Sequence, residues 1–153
     1  IRILSYISDL PCDEDTWLSV RRMEMCKQCR ACVSACPTKA IEPNHRIINT
    51  SICLTTINEV PGEFPEWIAE NAHHALIGCM KCQDCCPGNV HNKDNIIKGV
   101  TFSEEETKEL LIYKDGEPYS QSLAVKIKES GFFPGLLKVL PRNLAALVFS
   151  NQI

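Results

Sequence analysis

The run Cys26-Lys27-Gln28-Cys29-Arg30-Ala31-Cys32-Val33-Ser34-Ala35-Cys36-Pro37 constrains this chain more than any other feature. Its spacing, C-x₂-C-x₂-C-x₃-C-P, wraps three thiolates around one [4Fe–4S] cube and sends the fourth to a second cube. A spacing of two lets successive cysteines meet different iron atoms without stretching the loop. The fourth cysteine is carried away by a turn of helix and is free for another cluster, and Pro37 ends that helix.

Cysteine usage fits this reading. There are ten cysteines in 153 residues, gathered in tight local groups; a C-x₂-C turn suits one metal centre better than several structural disulfides. The N-terminus lacks the basic segment, apolar core and cleavage site of a secretory signal, so a reducing, cytoplasmic compartment is expected. The formal net charge is −3, and two cubes with eight thiolates take it to about −7. That excludes a general attraction for a phosphate backbone. Arg21, Arg22, Lys27, Arg30, Lys39 and Lys81 nevertheless gather near the cysteines. Their ordinary role is to offset cluster charge; the sharper one is to dock an acidic electron donor or a nucleic acid.

The second cysteine group reads Cys79-Met80-Lys81-Cys82-Gln83-Asp84-Cys85-Cys86-Pro87-Gly88-Asn89. A strict repeat of the first motif would put a cysteine at Asn89. Aligning the prolines instead matches Cys86-Pro87 to Cys36-Pro37 and leaves the motif one ligand short. Two cubes need eight thiolates. By the exchange of fourth cysteines, Cys26, Cys29, Cys32 and Cys86 hold cluster 1, while Cys36, Cys79 and Cys82 hold three corners of cluster 2. The eighth ligand is Cys53, Cys85 or Cys12. Cys85 adjoins Cys86, which crowds it, and Cys12 reads as a free thiol. Cys53 opens an expected helix whose N-terminal dipole favours a thiolate, and it is the ligand preferred here. His73 and His74 diverge by about 100° on a helix and cannot share a metal; with His45 and His91 they read as ordinary histidines. Met23 and Met25 read as shields for a cluster.

The rest of the chain supplies expectations about architecture. Residues 1–8 have strand composition and, with no initiator methionine, suggest the end of an upstream domain. A short helix is expected from Asp15 to Met25, with Trp17, Leu18 and Val20 packing inward. Pro43-Asn44-His45 reads as a turn between two short strands. Asn49-Thr50-Ser51 offers caps for a helix over Ile52 to Val60, ended by Pro61-Gly62. A further helix is expected from Pro65 to about Leu76, with Trp67 and Ile68 on one face. Ser103 to Glu106 is a capping box opening a helix to about Leu111. Ser120 to Ser130 is another, with Leu123, Ala124 and Ile127 facing inward. The tail from Phe132 reads as two apolar helices divided at Pro141-Arg142, too short to span a bilayer. The expected fold class is therefore α+β and helix-rich: a bacterial-ferredoxin-like two-cluster core with short strands, plus a C-terminal helical extension. The expected divisions are 1–25, 26–100 and 101–153.

Three segments together resemble the iron–sulfur domain of epoxyqueuosine reductases. They are Cys26 to Ile41, then Ile52-Cys53-Leu54-Thr55-Thr56-Ile57-Asn58-Glu59, then Gly78 to Asn89. The resemblance implies that Cys53 is the eighth ligand and that an upstream domain binds cobalamin. It further implies delivery of electrons to that cofactor, from a soluble donor such as a ferredoxin or flavodoxin, for reduction of epoxyqueuosine in tRNA. Cobalamin-dependent reductive dehalogenases look related through the same module. The family's tryptophan after Cys-Pro is Gly88 here, and Cys85 is an added thiol. No catalytic residue is expected within this stretch, so its expected role is electron transfer within a larger reductase, with a stand-alone ferredoxin-like carrier as the alternative.

Overall fold

Short helices, hung between cysteine-bearing loops, are what this sequence builds. The computed structural model describes residues 7–11, 14, 19, 23–44, 47–92, 95–132 and 134–150. Residues 1–6 of the expected opening strand, the bulk of the helix expected from Asp15, Cys12 and His45 lie outside the described residues; Ile7 and Ser8 are in no strand. Of that helix's end, Met23 is extended and a 3₁₀ turn follows at Glu24–Lys27.

Seven α-helices are formed among the described residues: α1 (Ala31–Ala35), α2 (Leu54–Glu59), α3 (Lys81–Asp84), α4 (Glu104–Ile112), α5 (Gln121–Glu129), α6 (Pro134–Leu137) and α7 (Leu140–Ser150). The expected α+β class is corrected by this inventory. No sheet forms among the described residues, and the two short strands reduce to one antiparallel bridge between Ile41 and Ile48. Its bonds are the Glu42 amide to the Ile47 carbonyl, 3.3 Å, and the Asn49 amide to the Ala40 carbonyl, 2.8 Å. The ladder stops there for local reasons. Pro43 has no N–H to extend it, and on the other side Lys39 turns the chain at φ 55°.

Two further expectations need correction. The helix over 52–60 is broken: a 3₁₀ turn at Thr50–Ile52, capped by the Asn49 side chain on the Ser51 amide, leads to Cys53 in extended conformation, and α2 begins only after it. The helix expected from Pro65 to Leu76 is reduced to a 3₁₀ turn at Glu70–Ala72, with Ile68 buried and Trp67 53% exposed. At His73 the backbone is extended, φ −76°, ψ 118°, and side chains take the carbonyls of the loop that stands in place of the helix end. His74 Nδ1 meets the Ala72 carbonyl at 2.8 Å, Asn58 Nδ2 donates to Ala75 at 3.4 Å and Gly78 at 2.8 Å, and Asn143 Nδ2 donates to Leu76 at 2.8 Å.

The C-terminal helices follow their caps closely. At α4 the Ser103 hydroxyl accepts from the Glu106 amide while the Glu106 carboxylate accepts from the Ser103 amide at 2.7 Å. Ser120 caps α5, and Gly131 takes φ 71° just beyond its end, a conformation that costs glycine little. Leu123 and Ile127 are buried as expected, but Ala124 is exposed. The tail divides at 138–139, before Pro141, which sits in the first turn of α7, where its missing N–H has no partner to lose. Leu110, Leu123, Ile127 and Leu140 form one core, joined by Leu76, Ile77 and Phe102. Each such leucine contributes about 1.5–3 kcal/mol by leaving water. A second cluster, Leu54, Ile68 and Ala72, packs against Ile57, Phe64 and Cys79 and so backs directly onto the cysteine loops.

Candidate metal centre

Two cavities hold the cysteines. One, of about 70 Å³, is lined by Cys26, Cys29, Cys32 and Cys86, together with Met25, Ala31 and Pro87. The other, of about 40 Å³, is lined by Cys36, Cys53, Cys79 and Cys82, with Thr38, Ile41, Ile48, Leu54 and Met80 among its walls. All nine described cysteines are free and partly buried. Helices α1 and α3 pack against each other, and the fourth cysteine of each motif lines the cavity of the other motif.

Local backbone preference explains the crossing at Cys36. The residue before a proline avoids the helical region, and Cys36 is extended at φ −70°, ψ 114°, just after α1 ends. Its side chain therefore leaves the helix that carries Cys32. There the Ala40 amide donates to Cys36 Sγ at 3.2 Å, and the Thr38 hydroxyl lies 3.8 Å from the same sulfur. Burial would push this thiol up, but the Ala40 and Thr38 hydrogen bonds outweigh it and hold Cys36 below the ordinary cysteine value. Burial pushes Cys79 and Cys82 up, with the neighbouring cysteines of the same cavity adding to it.

The loop into Cys79 is strapped from both ends. His74 spans it, with Nδ1 2.8 Å from the Ala72 carbonyl and Nε2 2.6 Å from the Cys79 carbonyl. It is thus a structural brace, a definite role for what reads from the sequence as an ordinary solvent or interface histidine. His73 packs on Phe64 at 4.3 Å, and burial, then Arg142, pushes it below the ordinary histidine value. The carbonyls left over at the end of α2 are collected by the distant tail. Arg142 donates to Ile57 at 2.8 Å, to Val60 at 3.1 Å and to Gly62, and lies over the Phe64 ring at 4.2 Å. Asn143 donates to Asn58 and Leu76, each at 2.8 Å. Nothing in the local sequence marks His74, Arg142 or Asn143 for these roles, whereas Thr38, Ala40 and Asn58 lie within the recognised segments.

Cys85 stands apart. It caps α3, its Sγ donates to the Cys82 carbonyl at 3.5 Å, and it lines neither cavity. Burial, then the proximity of Cys32, pushes its thiol up. At Gly88 an added Cβ would meet Met23 Cε at 3.0 Å and Cys86 Sγ at 3.6 Å, so Met23 occupies the space beside this cysteine.

Four thiols around an otherwise apolar void fit an iron–sulfur cluster, whose ligands attach at separate corners. A single zinc ion would instead draw its ligands to about 2.3 Å from one point. Residues 25–89 match the family described as the 4Fe-4S double cluster binding domain. Relatives are epoxyqueuosine reductases: that of Gloeobacter violaceus is 44% identical over 68 residues, 42% of this chain and 21% of that protein. That of Francisella cf. novicida is 29% identical over 117 residues, 71% of this chain and 32% of that protein. The chain carries an epoxyqueuosine-reductase-like iron–sulfur domain. This double-cluster domain takes two [4Fe–4S] clusters. The solved epoxyqueuosine reductase of Bacillus subtilis shares its fold, with a TM-score of 0.61 at 22% identity over 87% of this chain and 35% of that one. The match thus spans about a fifth to a third of these relatives' own length. Among the described residues, no helix is long and apolar enough to cross a membrane.

Proposed function

We propose that this iron–sulfur domain is an electron-transfer unit of a larger reductase, one acting on a substrate of the epoxyqueuosine class, as its relatives' names suggest for them. In this reading Cys26, Cys29, Cys32 and Cys86 hold cluster 1, and Cys36, Cys53, Cys79 and Cys82 hold cluster 2. The observation that carries it is the pair of four-cysteine cavities with Cys36 and Cys86 exchanged between motifs. Each cluster, when bound, supplies reversible one-electron storage. The residues of this chain fix its ligands, exclude water and set its potential. Met25, Ala31 and Pro87 wall the first cavity; Ile41, Leu54 and Met80 wall the second. The Ala40 amide and the Thr38 hydroxyl, directed at Cys36, stabilise added negative charge on that side and favour the reduced state. A cobalamin-binding partner domain and a tRNA substrate belong to the proposal through the family resemblance alone.

Anaerobic iron and sulfide analysis, with EPR-monitored reduction, tests it. Intact protein should carry about eight of each per chain, from two cubes of four, and accept one electron per cluster. Cys53→Ala should remove one cluster's signal and leave the other, whereas Cys85→Ala should leave both. Clusters surviving Cys53→Ala but not Cys85→Ala would overturn the ligand set. Clusters that cannot be reduced would overturn electron transfer.

A further inference from the structure

The two cavities differ at their rims. Around the first, the described cations nearby are engaged: Lys27 is 2.5 Å from Glu24, and the Arg30 guanidinium donates to the Cys29 carbonyl at 2.8 Å. Around the second, Lys81 lines the opening and Lys39 stands between the lining residues Thr38 and Ala40. Both lysines are exposed, neither has an ion-pair partner among the described residues, and no acidic residue lines this cavity. Two apolar side chains on the same rim are also turned to solvent, Ile48 at 49% and Met80 at 60% exposure. Lys39 and Met80, at φ 55° and 59°, are the described non-glycine residues with positive φ. That region is unfavourable for such side chains, and residues held there cluster where a surface has work to do.

From this juxtaposition we infer that the rim of the Cys36/Cys53/Cys79/Cys82 cavity is the docking face for an acidic one-electron carrier protein. The inference rests on the electron-transfer reading above. Lys39 and Lys81 steer the carrier by charge, and Ile48 and Met80 supply the small apolar contact that transient redox encounters use. One electron leaves the reduced carrier and is gained by this domain; no bond forms or breaks. The asymmetry of the rims makes this cavity the entry side, and the Cys26/Cys29/Cys32/Cys86 cavity the inner one.

The test uses the cluster-loaded chain under anaerobic conditions, with a reduced, strongly acidic [2Fe–2S] ferredoxin as the donor in stopped flow. Photoreduced deazaflavin serves as a small reductant that needs no docking face. The wild-type rate with ferredoxin should fall steeply with added salt. Lys39→Glu combined with Lys81→Glu should lower the low-salt rate at least about tenfold and flatten its salt dependence, at unchanged iron and sulfide content. Deazaflavin reduction should be unaffected, and Lys27→Glu should behave nearly as wild type. Equal ferredoxin rates in wild type and the double variant would overturn the docking face, as would a larger loss in Lys27→Glu. Reduction by deazaflavin but not by ferredoxin would also overturn it, leaving electron transfer standing. Failure of both reductants with wild type would instead sink the electron-transfer reading.

Discussion

Asn143 offers the sharpest test of how the tail supports the cysteine loops. It is 2% exposed, and its Nδ2 donates to the carbonyls of Asn58 and Leu76, each at 2.8 Å. Its Oδ1 accepts from Arg142 Nε at 3.1 Å and Nη2 at 2.9 Å. Asn58 closes α2, which starts beside Cys53, and Leu76 begins the strapped loop into Cys79. Asn143→Ala deprives two carbonyls of their donor at once. A buried polar group stripped of its partner costs about 1–3 kcal/mol. Arg142 keeps its bonds to Ile57 and Val60, so its share of the loss is small. The total for two carbonyls comes to about 2–6 kcal/mol. With a urea slope of about 2 kcal/mol/M, the unfolding midpoint of the cluster-loaded chain should fall by about 1–3 M. Far-UV circular dichroism in an anaerobic urea titration measures this. A loss under about 1 kcal/mol would refute the claim that these bonds hold the tail to the loops.

Three further outcomes follow from the structure. Thr38→Val removes the hydroxyl near Cys36 Sγ; at about 1 kcal/mol per hydrogen bond this lowers the potential of the cluster beside Cys36 by about 40 mV, with Thr38→Ser restoring it, as read by EPR redox titration. The Glu106 carboxyl is held low by Lys126, 2.5 Å away, and by the Ser103 amide. Its contribution to stability is therefore complete above the unfolded carboxylate value of about 4.3 and is lost as pH falls through the lower folded value. Glu106→Gln should lower the melting temperature at neutral pH and flatten its fall below pH ~4.3. Gly88→Ala should be accommodated by a shift of the flexible Met23 end, 3.0 Å from the new Cβ, with iron and sulfide content unchanged; loss of one cluster would show instead that Cys86 is displaced.

Spacing carried most of what could be read about the site, because a C-x₂-C turn is a local geometry and its chemistry is independent of the surrounding fold. The caps Asn49 and Ser103 were legible for the same reason: a side chain bonding an amide two or three residues away needs only its neighbours. The failures lie where distant atoms compete for backbone groups. The strands at Ile41 and Ile48 shrank to a bridge between Pro43 and the left-handed Lys39. After Pro65 the chain leaves the helix at His73, and the carbonyls of the loop that follows find donors in Asn58 and Asn143.

The sequence by itself determined which atoms can bind metal, that there are two cavities' worth of them, and that Cys36, as the residue before a proline, would leave its own motif. Tertiary structure decided that Cys53 joins Cys36, Cys79 and Cys82 around one cavity while Cys85 lines neither. It also decided that Arg142 and Asn143, more than eighty residues from α2, close that helix's open carbonyl end. Ligand chemistry is written in residue types and short spacings. Which loops meet depends on which buried carbonyls find a donor, and that is settled only once the chain has packed.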